Sequence, residues 1–205
     1  MNQQEAVDMI RKSVLEWNLY RRVTETKAVP YLNRVDLSGV CLDGANFKGL
    51  RMSEVDFRRS DLDNTNFADA ELCCANFSGA RASYADFNGA YMNDADLTGV
   101  NLACASLRGA SMYAVTGLYR LDMIDPRAYI PVAIAHPDGW HIYSGCRGYT
   151  LEEALIHWHE DNYDSDEGYS GCTSEEIGAR YIRAIKALPE CPQVLTPAAS
   201  ELHSQ

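Results

Sequence analysis

From Val35 to Ala114 the chain can be read as sixteen five-residue words in unbroken register, beginning VDLSG, VCLDG, ANFKG. Their central residues are Leu37, Leu42, Phe47, Met52, Phe57, Leu62, Phe67, Leu72, Phe77, Ala82, Phe87, Met92, Leu97, Leu102, Leu107 and Met112, so that only Ala82 departs from Leu, Phe or Met. The place two residues earlier holds Ala or Val in thirteen words, with Leu50, Ser60 and Thr65 as exceptions. The other places are mostly Asp, Asn, Ser, Gly and Arg. A helix would scatter the centres around all its sides, and a strand would alternate them between two faces. A fixed short period calls instead for a solenoid, in which each word lends one large and one small side chain to a shared interior. The polar and glycine-rich places suit turns and a solvated exterior.

This pattern resembles the pentapeptide-repeat family, and "PYLNR" from Pro30 falls in the same register. The resemblance implies a right-handed parallel β-helix of square section, with four words to a coil and one word to a side. The expected fold class is mainly β: a quadrilateral β-helix of about four coils, an N-terminal α-helical cap and a small α+β C-terminal domain. Words four apart should then stack. One column would hold Phe47, Phe67, Phe87 and Leu107, another Leu37, Phe57, Phe77 and Leu97, a third Met52, Leu72, Met92 and Met112, and the fourth Leu42, Leu62, Ala82 and Leu102. At strand spacing of about 4.8 Å, four coils make a rod of about 19 Å.

A stack of coils leaves backbone groups unpaired at both ends, so the ends need covers. Residues 4–24 place Val7, Ile10, Val14 and Trp17 at helical spacing, which predicts a helical cap over residues 1–29. Its "EWNLYRR" stretch resembles the helical leader of pentapeptide-repeat proteins. Arg11, Lys12, Arg21 and Arg22 are expected on the solvated face of that cap. The repeats are taken as residues 30–117, a small α+β domain as 118–190, and a flexible tail as 191–205.

Within 118–190, two strands are expected at 129–135 and 140–144 around an "HPDG" turn. Thr150 with Glu153, and Thr173 with Glu176, read as capping boxes that open two helices. The second helix carries Ile177, Tyr181, Ile182 and Ile185 as an apolar stripe, and Pro189 ends it. The stretch "GWHIYSGCRGYTLEEALIHW" resembles a small domain of phage and prophage proteins of unassigned function, which implies a phage or prophage source rather than an activity.

The net charge is −11, and the repeats from 35 to 119 hold eleven acidic against six basic groups. Such a surface repels phosphate, so direct nucleic-acid binding is not expected. No apolar run is long enough to cross a membrane, and the N-terminus has no secretory pattern. Seven cysteines without paired spacing read as reduced thiols in the cytoplasm of a bacterial host.

Three functional readings follow. A stiff solenoid filled by its own side chains has flat faces and no deep pocket, which favours a non-enzymatic protein–protein interaction role, with a protein partner and no cofactor. The candidate surface is the row Asp36, Asp56 and Asp96, with Asp61 and Asp63 on the next side; the same acids could instead hydrogen-bond their own turns. Some pentapeptide-repeat proteins imitate a DNA duplex and occupy topoisomerase, and a homodimer joined end to end would lengthen the rod for that task. An enzyme is the third reading, resting on Cys146 beside Arg147 with His157 near in sequence. Cys146, His157, His159 and Cys172 have irregular spacing for a metal, and the acidic stretch 160–167 lacks the EF-hand pattern, so no metal site is expected.

Overall fold

A computed structural model describes residues 1–24, 31–121, 131–144, 147–157 and 174–191; for Arg147, His157 and residues 174–177 it describes the backbone alone. Residues 35–114 contain no α-helix. Parallel bridges join residues twenty apart, from Asp36↔Asp56 to Asp96↔Thr116. Four words therefore separate bridged partners, and each coil has four sides.

Words between the first and last coils spend their backbone in the same way. The N–H groups of its third and fifth places donate to the next coil, as Leu42 does to Asp61 O (2.7 Å) and Gly44 to Asp63 O (2.9 Å). The second place donates back, Asp61 N to Val40 O at 3.1 Å. The first place closes a β-turn on the preceding centre, Ala45 N to Leu42 O at 2.9 Å. The fifth place is the third residue of that turn and has φ near +60°, whether it is Gly44 (+69°), Arg59 (+58°) or Cys74 (+58°). Positive φ at this one turn position is the type II pattern.

The interior is filled by the word centres. Leu37, Leu42, Phe47, Met52, Phe57, Leu62, Phe67, Leu72, Phe77, Ala82, Phe87, Met92 and Leu97 are fully buried, and Leu102 and Leu107 nearly so. Met112, expected in the core, is only partly buried; among the described residues no further coil covers its wall. Phe67 stacks on Phe87 (5.0 Å between centroids) and Phe57 on Phe77 (5.2 Å), while Phe57 meets Phe67 edge-on across the core at 5.4 Å. The odd residues Ser60 and Thr65 are buried too; their hydroxyls donate to Leu37 O (2.7 Å) and Leu42 O (3.0 Å), which removes the cost of unpaired polar groups.

The N-terminal stripe folds as two helices, α1 (Gln3–Lys12) and α2 (Val14–Val23), not as one. Ser13 is extended (φ −161°, ψ 112°) and serves both: its N–H closes α1 on Met9 O, and its hydroxyl accepts from Glu16 N to open α2. Asn2 and Glu5 form a capping box at the start of α1. Ala6, Val7, Ile10 and Trp17 join the core of the solenoid. Arg21, expected in solvent, is buried: its guanidinium donates to Asn46 O and Lys48 O (2.6 Å), carbonyls that no coil among the described residues takes up. Trp17 Nε1 also reaches Asn46 O (3.0 Å), and Arg11 reaches Asp36 O. Helix side chains thus stand in for a missing coil.

At the other end the chain runs straight from the repeats into an antiparallel sheet of β1 (Leu118–Arg120), β2 (Val132–His136), β3 (Gly139–Ser144) and β4 (Arg147–Thr150), in that spatial order. The expected hairpin is present as β2–β3 around Pro137 and Asp138, and β1 and β4 are additional. One face of the sheet, Val132, Ile134 and Tyr143, enters the solenoid core; the other, Ala133, Ala135, Trp140 and Ile142, packs with α3 (Leu151–His157) and α4 (Ser174–Lys186) through Ala154, Tyr181 and Ile185. Thr150 and Glu153 form their reciprocal cap at the start of α3. Thr173 and residues 192–205 lie outside the described residues. The sheet is tied to the last coil by Gly99 N to Ala135 O (2.7 Å) and Ala135 N to Gly117 O (2.8 Å).

Gly117 sits at this junction with φ +75°, and a Cβ there would fall 2.5 Å from the backbone of Thr98. Gly44 has the same handedness but open space around it. Gly44→Ala should cost about 1–2 kcal/mol from the left-handed backbone alone. Gly117→Ala adds a backbone clash and should cost about 3 kcal/mol or more in chemical denaturation; equal costs would mean that Gly117 does not approach Thr98 as described.

Candidate functional site

The one N–H that the ladder leaves over is that of the fourth place in each word. Where the second place is Asp or Asn, that residue answers it: Ser38 N by Asp36 Oδ1, Arg58 N by Asp56, Ser78 N by Asn76 and Thr98 N by Asp96, each at 2.9 Å. Asp61 does the same for Asp63 N at 3.3 Å. Elsewhere an Asp or Asn one coil earlier can do so, as Asp63 does for Ser83 N at 2.8 Å. The Ser38 hydroxyl and amide together hold the Asp36 carboxyl below its ordinary range. The candidate acids therefore lie where the sequence pattern puts them, on two adjacent walls, and each has a local structural task.

Arginines also sit on them. Arg58 forks onto Asp56 (2.6 and 2.9 Å), and Arg81 bridges Asp63 and Asp61. Both arginines have pKa values raised by these carboxylates. On the wall of Leu32, Met52 and Leu72, Arg34 pairs with Glu54 and Arg51 with Glu71. These partners stand twenty residues apart, as do Arg81 and Asp61. The signal was available in the sequence as charge of opposite sign one coil apart. Exposed pairs of this kind contribute little stability, about 0–1 kcal/mol each, but they break the acidic rows into neutral segments.

The wall built on Leu32, Met52, Leu72, Met92 and Met112 differs. Its outer column runs Tyr31, Arg51, Glu71, Tyr91 and Ser111, with Tyr113 beside the last. Tyr31 is 61%, Tyr91 54% and Tyr113 79% exposed. The Arg51 guanidinium lies 4.9 Å over the Tyr31 ring. Solvent-facing aromatics interleaved with one arginine are the side chains that dominate protein interfaces. Reading the centres of the words alone passes over this column, although the period of twenty brings it together.

In the C-terminal module Cys146 lies outside the described residues, as do His159, Cys172 and residues 160–167. Arg147 begins β4 opposite Ser144, and His157 ends α3. A cleft of about 930 Å³ opens between the β2–β3 hairpin, α3 and the end of α4, floored by Trp140, Leu155, Ile185 and Leu188. Asp138 lines this cleft; with His136 and His141, on the sheet face turned away from it, Asp138 forms the group that could hold a metal ion among the described residues.

The profile of pentapeptide repeats matches residues 51–83 and 75–113, in eight copies. Residues 51–113 are therefore a run of pentapeptide repeats. Pentapeptide-repeat proteins form right-handed quadrilateral β-helices. Among solved pentapeptide-repeat structures, this chain is similar to HetL, involved in heterocyst differentiation regulation in the cyanobacterium Nostoc sp. strain PCC 7120: 24% identity over 52% of this chain and 45% of HetL, TM-score 0.37. It is similar to Rfr23 of the cyanobacterium Cyanothece 51142 at 25% identity, over 43% of this chain and 61% of Rfr23, TM-score 0.32. It is similar to QnrB1, a plasmid-mediated fluoroquinolone resistance protein, at 16% identity over 42% of this chain and 58% of QnrB1, TM-score 0.34. The chain thus spans less than two thirds of each of these proteins. No curated protein matches it. Among the described residues, no helix is long and apolar enough to cross a membrane.

If the Asp rows serve the pentapeptide turns, Asp96→Asn should leave stability unchanged, since an amide oxygen accepts the same bond. Asp96→Ala should cost about 1 kcal/mol. Thermal or chemical denaturation of the two variants checks this; equal losses from both would show that the charge matters and not the hydrogen bond.

Proposed function

We propose that this chain is a non-enzymatic protein–protein interaction module, encoded by a phage or prophage, that binds a host factor or serves as an accessory factor in the bacterial cytoplasm. The domains it uses are an N-terminal helical cap (1–29), a solenoid of about four coils (30–117), an α+β domain (118–190) and a tail (191–205). The observation that carries the reading is the tyrosine wall: Tyr31, Tyr91 and Tyr113 are held in solvent on a rigid face, with Arg51 stacked among them. Rigid aromatics lose little conformational freedom on binding. The paired carboxylates of Asp56, Asp61 and Asp63 weigh against a DNA mimic, which needs an unbroken run of negative charge. The floor of the C-terminal cleft is apolar, and burial pushes the thiol of Cys191 in its lining up, away from the thiolate that nucleophilic catalysis needs.

The test is capture of partners from the natural host with tagged chain, followed by affinity measurement with the protein recovered. Tyr91→Ala together with Tyr113→Ala should weaken binding by about thirtyfold or more, and Asp56→Asn with Asp96→Asn should leave it unchanged. The reverse ranking would move the interface to the acidic walls and favour duplex mimicry.

A further inference from the structure

Two imidazoles stack at the β2–β3 hairpin. The rings of His136 and His141 lie 4.0 Å apart with 21° between their planes. They are diagonal neighbours on one sheet face, because His141 pairs with Ile134, two residues before His136. It is the face turned toward the last coil, shared with Val132, Ile134 and Tyr143. Asp138, in the turn between the strands, places Oδ1 2.9 Å from Nε2 of His141. One ligand atom from each of the three lies within 4.8 Å of the other two.

Two cations would not stack at this distance. Burial first, and then the neighbouring His141, bring the pKa of His136 down to about 4. The imidazole is therefore neutral near pH 7, the form in which histidine ligates metals. His136 also hydrogen-bonds the backbone of Val100 in the last coil. A ligating histidine is ordinarily oriented by such a bond from its other ring nitrogen. The Tyr143 hydroxyl is 3.3 Å from Nε2 of His136 and completes a polar surround.

We propose that His136, Asp138 and His141 bind one divalent transition-metal ion of the zinc class, through two imidazole nitrogens and a carboxylate oxygen, with the remaining position open to water. Bonds of about 2.0–2.2 Å in a tetrahedral site put ligand atoms about 3.3–3.6 Å apart, which these side chains reach by small rotations. The ion takes the place of the proton now shared by His141 and Asp138, and that proton leaves to solvent. The donor set of nitrogen and carboxylate oxygen without thiolate suits zinc, cobalt or nickel over copper(I). Because His136 reaches Val100 and Ala135 bonds Gly99, the ion would fasten the hairpin against the end of the solenoid.

The test is titration of the full, metal-stripped chain with Co²⁺ as the probe, followed by displacement with Zn²⁺. The expected result is one equivalent bound with micromolar or tighter affinity and weak visible absorption of nitrogen–oxygen type. His141→Gln and Asp138→Asn, at the hairpin surface, should each weaken binding at least about tenfold, with an unchanged circular dichroism spectrum. Intense near-ultraviolet thiolate bands would place the ion on the seven cysteines and overturn the proposal. Affinity unchanged in both variants, or no saturable binding, would overturn it as well.

Discussion

The hydrogen bonds between one coil and the next fix nearly everything else in this molecule. They join residues nineteen to twenty-one apart, so every word must hold five residues and every fifth place must accept a left-handed turn. A single insertion would shift all later centres out of the core, as a register slip does in a sheet. The ladder uses four of the five N–H groups in a word. The fifth explains why Asp and Asn recur two residues before it.

The same accounting dictates the ends. A stack of coils terminates in open carbonyls and amides, which are costly when buried without partners. At the first coil, Arg11, Trp17 and Arg21 from the two helices take up the carbonyls of Asp36, Asn46 and Lys48. At the last coil, β2 lies over the wall of Leu97, and its partner strands carry the core onward into a second, smaller cluster. The C-terminal module is therefore continuous with the solenoid through the sheet, one face of which is solenoid core.

The solenoid was legible because its period is strict and its centres are large. Four-word stacking placed Phe47, Phe67 and Phe87 in one column and Phe57 with Phe77 in the opposite one. What depends on a neighbour distant in sequence was not legible. Arg21 reads as a surface residue on a helical wheel, and only the unpaired carbonyls of the first coil draw it inside. Ser13 breaks the helical stripe because its backbone N–H closes α1 while its hydroxyl opens α2. Met112 fits the core pattern, yet it is only partly buried, with no further coil above it among the described residues. Of the candidate site, the Asp rows were visible, but their arginine partners needed the period of twenty applied to charge. The tyrosine column needed it applied to the outer places.

Residue-resolved amide hydrogen exchange tests the coil register most directly. Between residues 37 and 97 the account predicts protection with a five-residue period: four slow amides per word, with the fourth place faster, most of all at Asp43, Cys73 and Asn93, where no Asp or Asn stands two residues or one coil earlier. Exchange with a helical or two-residue period, or uniformly fast exchange through this span, would contradict it.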